Sequence, residues 1–372
     1  MNNILITGSE GFIARNLIAE LKNQGNLNIF EYSRETGQEL LDHYCKTADF
    51  VFHLAGINRP KDKSEFMDGN YGFLSILLNT LKKYQNNCPI MISSSVQAQY
   101  NNDYGISKKA CEKLLLEYSE ETGSKVFLYR LPNVFGKWCK PNYNSAIATF
   151  CYNIAHDFSI TVNDPDVVMN LVYIDDLVEE LVLILVNNKN LKGDYVSVPV
   201  TYTVTLGAIV EMIYSFRKSR ETQSIPDMSD ALTKKLYSTY LSYLPEDQFS
   251  YHLKMNKDQR GSFTEFIKTP DRGQVSVNIS RPGITKGNHW HHTKTEKFLV
   301  VSGKGVIRFK KINSDKIIEY FVSGENLEVV DIPVGYTHNI QNLSNDSDMI
   351  TIMWANEQLN PEKPDTFFLE VK

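Results

Sequence analysis

Two groups of residues in this sequence have types and spacings that suit chemistry. In the first, Ser93-Ser94-Ser95 ends an apolar run, and Tyr104 stands four residues before Lys108. On a helix that spacing puts the phenol and the ammonium one turn apart on the same face. A tyrosine titrates at about 10, and a neighbouring ammonium would stabilise its phenolate and bring the group toward a working pH. With a serine hydroxyl to hold a carbonyl oxygen, Tyr104 can give a proton to a developing alkoxide. Ser95 is the expected hydroxyl and Ser94 the alternative. In the second group, alternation along a strand puts His289 and His291 on one face, with Glu296 reachable from the next strand and His338 from a third. Three imidazoles and a carboxylate suit zinc or another divalent ion. His292 points to the opposite face of a regular strand and is left out of the set.

These residues need elements to position them. The apolar strand Asn3 to Thr7 runs into Gly8-Ser9-Glu10-Gly11-Phe12-Ile13-Ala14, which opens a helix reaching about Asn23. A glycine turn at a helix N-terminus presents backbone N–H groups to a pyrophosphate, and the helix dipole favours the anion. Ser33-Arg34 stands after the second strand, Asn28 to Tyr32, where a dinucleotide fold that prefers NAD has an acidic residue; an arginine there suits a 2′-phosphate, hence NADPH. Further strands at Phe50 to Leu54 and Ile90 to Ser93 give an α/β pattern with a parallel sheet. From about Gln274 the texture changes to short strands between glycine and proline turns: VSVNIS, KFLVVSG, GVIRFKKI, IIEYFVSG, LEVVDIP and MITIMWAN. That is an all-β signature. The tyrosine-rich stretch from Glu221 to Leu253 fits neither pattern, and the domain boundary is placed near Tyr251, giving domains 1–250 and 251–372.

The bulk numbers agree with two domains. A chain of 372 residues exceeds one ordinary core, and 42% apolar with 22% charged residues is a globular balance. A net charge of -5 gives no broad basic field for nucleic acid or an anionic membrane. The five cysteines contain no CxxC pair, so neither a disulfide framework nor a thiolate zinc site is expected, and a reducing cytoplasm fits. The sequence begins directly in the glycine-turn strand, so neither secretion nor membrane insertion is expected.

Taken together, the glycine turn, the HLAG run at His53 to Gly56, the serine-ended strand and the YxxxK pair resemble the extended short-chain dehydrogenase/reductase (SDR) family, a Rossmann-like fold, over about 240 residues. The resemblance implies a catalytic Ser95, Tyr104 and Lys108, with cofactor contacts at Gly8, Gly11, Phe12, Ile13, Leu54, Ala55 and Lys108. The runs Tyr129-Arg130-Leu131-Pro132-Asn133-Val134-Phe135-Gly136 and Asn170-Leu171-Val172-Tyr173-Ile174-Asp175-Asp176 resemble later motifs of members that act on nucleotide-linked sugars. One departure stands out: only 17 residues separate Tyr32 from Phe50, too few for the usual helix, strand and second helix. A 4,6-dehydratase is disfavoured, because Val96 and Gln97 follow Ser95 where an acidic pair would be needed.

The second half, with Gly283, His289, His291, Glu296 and Gly303 followed by Pro333, Gly335, His338 and Asn342, resembles the cupin superfamily, an all-β barrel. Asp258-Gln259-Arg260-Gly261-Ser262-Phe263-Thr264-Glu265 is similar to the opening of the deoxysugar 3,5-epimerase cupins, which generally work without a metal; the His/Glu set departs from them. The whole arrangement resembles a group of bifunctional capsular-polysaccharide enzymes that fuse the two folds. That resemblance implies a homodimer acting on a UDP-linked 4-keto-6-deoxy N-acetylhexosamine. It implies C3 epimerisation of a UDP-2-acetamido-2,6-dideoxy-L-hexos-4-ulose in the cupin and NADPH-dependent C4 reduction in the SDR domain. The product would be UDP-2-acetamido-2,6-dideoxy-L-talose, on the route to N-acetyl-L-fucosamine. The alternative is a 4-keto reductase carrying a non-catalytic, metal-stabilised cupin. Lys286, Lys294 and Asp331 are all open as the C3 base.

Overall fold

The computed structural model describes residues 3–60, 62–187, 195–358, 360 and 362–372. β1 (Asn3–Thr7) leads through α1 (Phe12–Gln24) to β2 (Asn28–Tyr32), and α2 (Gln38–Thr47) leads to β3 (Phe50–His53). A short α3 (Ser64–Phe66) passes through a π turn at Met67–Gly72 into α4 (Phe73–Lys83), followed by β4 (Ile90–Ser95), α5 (Asp103–Thr122) and β5 (Val126–Leu131). Then come β6 (Asn133–Phe135), α6 (Ala146–Ala155), β7 (Val168–Tyr173), α7 (Ile174–Asn187), β8 (Tyr195–Val196), β9 (Tyr202–Thr205), α8 (Leu206–Thr222) and α9 (Ala231–Leu241).

The main sheet has the order β2-β1-β3-β4-β5-β8 with every pair parallel. Its strands are continuous apolar runs because both faces are covered. Ile4, Ile6, Phe50 and Phe52 pack with Leu17, Leu21, Leu177 and Leu181 on one face. Leu5 and Val51 pack with Leu41, Leu77, Leu81 and Leu115 on the other. The short link between Tyr32 and Phe50 holds α2 alone, which carries the chain from the edge strand β2 across β1 to β3. A strand and a helix that the family usually has there are simply omitted, which is why the spacing is short.

The chain divides into two compact units, residues up to 214 with 229–245, and 215–228 with 246–372. The tyrosine-rich stretch is therefore shared. In the first unit α9 buries Leu236 and Tyr240. In the second, the Gln223 carbonyl accepts the Lys268 N–H at 2.9 Å and the Gln223 side chain donates to the Glu265 carbonyl at 3.0 Å.

The second unit holds β10 (Asn256–Asp258), β11 (Gly261–Thr269), β12 (Gly273–Ser280), β13 (Thr285–Trp290), β14 (Glu296–Ser302), β15 (Lys304–Lys311), β16 (Ile317–Ser323), β17 (Val329–Ile332), β18 (Tyr336–Asn342), β19 (Met349–Ala355) and β20 (Phe367–Phe368). They pair antiparallel in two sheets, β10-β11-β12-β19-β14-β17 and β16-β15-β18-β13-β20, giving a cupin-like barrel. Phe298, Val300, Ile307, Phe309, Ile332, Ile340 and Met349 form its apolar core. β12 turns the other way from its pattern: Gln274, Ser276, Asn278 and Ser280 are buried, while Val275, Val277 and Ile279 are half-buried. The polar row is tolerated because its side chains bond one another, Gln274 to Ser276 at 3.0 Å and Asn278 to Ser280 at 3.2 Å.

At the glycine turn, the Gly8 and Ser9 N–H groups both donate to the Tyr32 carbonyl, at 2.8 and 3.2 Å. Gly8 has φ +70, and a Cβ there would sit 2.7 Å from the Ala55 Cα and N. Gly8→Ala is therefore expected to cost roughly 1 to 3 kcal/mol through strain and collision. Urea unfolding checks this, and a variant as stable as wild type contradicts the packing described.

Candidate functional site

The first site is a cleft of about 1040 Å³ in the N-terminal unit, lined among others by Gly11, Phe12, Ile13, Ser95, Tyr104 and Lys108. Tyr104 and Lys108 lie on the first turns of α5, whose N-cap Asn102 accepts the Gly105 N–H at 2.8 Å. A Cβ on Gly105 would meet the Gln97 carbonyl at 2.2 Å, so this glycine lets α5 lie directly on the turn that follows β4. The three serines at the end of β4 do three different things. The Ser93 carbonyl accepts from Lys108 Nζ at 3.0 Å. The Ser94 hydroxyl donates to buried Glu112 at 2.5 Å. The Ser95 hydroxyl accepts the Gln97 N–H at 3.1 Å and lines the cleft together with Tyr104. Ser95, not Ser94, is thus the hydroxyl beside the phenol.

The electrostatics differ from the spacing argument. Lys108 Nζ sits 5.8 Å from the centre of the Tyr104 ring, and burial pushes the Tyr104 pKa up, opposed by the Ser95 hydrogen bond. Burial also lowers the Lys108 pKa. The expected pull of the phenol toward neutrality is absent because desolvation outweighs the lowering by Ser95. A protonated phenol is the form that gives a proton away. Leu54 also lines the cleft, and Ala55 packs on Gly8. Arg34 is exposed on the turn after β2 and does not line the cleft. The cleft fits a dinucleotide: α1 opens on it through Gly11 with no acidic residue in its first turn.

The second site lies in the barrel. His289, His291, Glu296 and His338 bring one ligand atom each within 4.8 Å of one another. The i, i+2 spacing of His289 and His291 carries both rings to one side, with ring centroids 5.0 Å apart. The register of β13 on β18 shifts between Gly287 and His289, Asn288 has φ +57, and His291 lies just past the strand's end. Glu296 Oε2 is 3.3 Å from Nε2 of both His291 and His338. Burial opposes ionisation of Glu296, but these two imidazoles hold its carboxyl well below the usual range. Burial pushes His289 down to about 4. His338 is 1% exposed, and neither ring nitrogen has a hydrogen-bond partner. Three buried or half-buried imidazoles converging on one carboxylate, with His338 under-satisfied, fit a divalent cation. His292 is exposed, and its ring packs on Trp290 and Phe367. Lys286 and Lys294 line the cleft beside the cluster; Asp331 pairs with Lys297, is 73% exposed, and does not.

Residues 4–198 match the NAD dependent epimerase/dehydratase family, and 256–367 match the polysaccharide biosynthesis C-terminal domain. The chain belongs to the NAD dependent epimerase/dehydratase family. Within it, the chain is 42% identical to the UDP-2-acetamido-2,6-beta-L-arabino-hexul-4-ose reductase of Pseudomonas aeruginosa, over 99% of this chain and 98% of that one. It is similar to the crystal structure of the capsular polysaccharide assembling protein CapF from Staphylococcus aureus, with 57% identity, a TM-score of 0.94 and coverage of 99% and 100%. A UDP-glucose 4-epimerase from Thermotoga maritima shares the fold of the first unit, with 18% identity, a TM-score of 0.55 and coverage of 65% and 98%.

Three residues of this family member escaped the sequence reading. Buried Asn70, on the π turn, accepts the Ile57 N–H at 2.8 Å and donates to the Ser107 hydroxyl at 3.0 Å, tying the loop after β3 to α5. Glu112 takes both Arg130 donors, at 2.9 and 2.6 Å. Its place one turn beyond Lys108, on the Tyr104 face, was a readable signal. Asp365 was not readable, because it lies far from the motifs it touches. Burial raises the Glu112 pKa, but the bonds from Arg130 and Ser94 outweigh it and the net shift is downward from 4.5. Its stabilisation is therefore present above about 4.5 and lost as pH falls below that. Glu112→Gln should be less stable than wild type at neutral pH and lose part of the decline between about pH 5 and 3. Unfolding measured against pH checks this, and identical acid slopes would contradict it.

Proposed function

We propose that this chain is a bifunctional sugar-nucleotide enzyme. The barrel inverts C3 of a UDP-2-acetamido-2,6-dideoxy-L-hexos-4-ulose, and the N-terminal unit reduces the C4 ketone with NADPH to give UDP-2-acetamido-2,6-dideoxy-L-talose for capsular polysaccharide and N-acetyl-L-fucosamine synthesis. The observation that carries this reading is that each unit presents its own groups for handling a carbonyl oxygen: Ser95 and Tyr104 lining one cleft, and the His289/His291/Glu296/His338 cluster in the barrel. The similarity to a 4-ulose reductase along nearly the whole chain supports it.

A ketone at C4 acidifies the C3 hydrogen, so C3 can lose its proton to a base and regain one on the opposite face. Lys286 and Lys294 are the two candidates left beside the cluster for this transfer. Zinc held by the three imidazoles and the carboxylate would supply Lewis acidity at the carbonyl oxygen. In the other unit, NADPH held at the turn of Gly11, Phe12 and Ile13 would supply the hydride for C4. Tyr104 then gives its phenolic proton to O4, while Ser95 orients the oxygen and Lys108, fixed on the Ser93 carbonyl, keeps a positive charge beside the phenolate that forms. Reduction removes the ketone and with it the acidity at C3, which locks the configuration. Arg34 is proposed to meet the 2′-phosphate of NADPH.

The functional boundary is proposed at residue 250, the location as cytoplasmic, and the assembly as a homodimer. For the last, the barrel's edge strands β16 and β17 expose Phe321 and Val329 at 70% and 55%. With a UDP-linked 4-keto-6-deoxy N-acetyl sugar, Tyr104→Phe should lower NADPH oxidation by about 10²- to 10⁴-fold. His291→Ala should stall or give the C4-reduced sugar without inversion. Unchanged product stereochemistry in the His291 variant would leave a plain reductase with a structural barrel.

A further inference from the structure

The stretch that closes over the ligand cluster lies far along the chain from every motif that names it. Asp365 contributes first through its backbone. Its carbonyl oxygen meets His291 Nδ1. A carbonyl can only accept, so Nδ1 carries a proton, and in the neutral ring the lone pair is then on Nε2. That Nε2 is the atom lying 3.3 Å from Glu296 Oε2, inside the cluster.

The Asp365 carboxylate contributes next. Oδ1 accepts the His292 N–H at 2.9 Å, while Oδ2 accepts from the Thr293 N–H at 2.7 Å, the Thr293 hydroxyl at 3.0 Å and the Lys294 N–H at 2.9 Å. One side chain thus takes the N–H groups of His292, Thr293 and Lys294, the first three residues of the turn between His291 and Glu296.

Beyond it, β20 pairs with the outer edge of β13, placing Phe368 opposite His289 and Phe367 opposite Trp290. The Leu369 N–H donates to the Asn288 carbonyl at 3.0 Å, beside the bulge that turns His289 inward. The Leu369 carbonyl accepts from the Thr337 hydroxyl, next to His338. Apolar burial does not account for this docking, since Phe368 is 77% exposed. Polar contacts on residues at or adjoining all three imidazoles do.

We infer that the segment Asp365–Leu369 is a positioning element for the cluster: it selects the His291 tautomer and holds the turn and strand that carry the other ligands. This rests on the proposed reading of the cluster as a metal centre, whose affinity such an element governs. Groups that orient metal ligands typically change affinity by about 10- to 100-fold when removed.

The test uses the full chain, stripped of metal and titrated with Zn²⁺ against a chromophoric chelator, alongside Asp365→Ala and Asp365→Asn. The alanine variant should bind Zn²⁺ about 10- to 100-fold more weakly. The asparagine variant, which keeps one acceptor oxygen, should fall between it and wild type. Loading with Co²⁺ should give a visible spectrum that differs between wild type and Asp365→Ala, a readout that lost stability alone would not move. Should the alanine variant fail to fold, the asparagine variant and the ¹⁵N shifts of wild-type His291 still decide, with an Nδ1-protonated ring expected. Unchanged affinity and spectrum in folded variants, or an Nε2-protonated His291, would overturn the inference while leaving the metal reading intact. Failure of wild type to take up any ion would overturn the metal reading itself.

Discussion

A charged or polar group removed from water has to find a partner inside the protein, and in both units the partners are what fix the reactive groups. Lys108 is 5% exposed and gives its ammonium to the Ser93 carbonyl. Glu112 is 2% exposed and collects Arg130 and Ser94. These two contacts, one helical turn apart, seat α5 on the end of β4, so Tyr104 can arrive only beside Ser95. In the barrel the same constraint acts on Glu296, whose carboxylate is held between two imidazoles. Satisfying buried polarity and aiming the side chains of the two candidate sites are one arrangement here, not two.

The same burial sets the protonation states. A phenol kept above its ordinary value is a proton donor, and the His289 imidazole, pushed down by burial, presents a lone pair. Reduction of a ketone asks for the first and cation binding for the second. The polar row on β12 belongs to this picture too, since Asn278 Oδ1 accepts from Lys286 Nζ at 2.8 Å and holds that ammonium at the cleft.

How much of this could be read from the sequence follows from the range of the interactions. The glycine turn, the Tyr104–Lys108 spacing and the first strands are local patterns and were legible, as was the cluster of His289, His291, Glu296 and His338. The bulge at Asn288, which precedes both histidines of β13 and its end, was not legible. β12 also hid its orientation, because hydrophobic alternation names the buried face only when the interior is apolar. Asp365 acts on residues more than seventy positions earlier, a distance over which no spacing rule operates. The direction of the Tyr104 shift was missed because spacing reports the neighbouring charge and says nothing of desolvation.

In the proposed bifunctional reading the two sites can act on one sugar only in an order: inversion at C3 requires the ketone that reduction at C4 destroys. The measurement that bears most directly on this is turnover of the full chain with NADPH and the 4-keto sugar nucleotide in D₂O, with the product read by NMR. Solvent deuterium at C3 together with protium at C4 is the result predicted for coupled inversion and reduction. A C4-reduced product with protium at both carbons would contradict it and leave the barrel without a catalytic part.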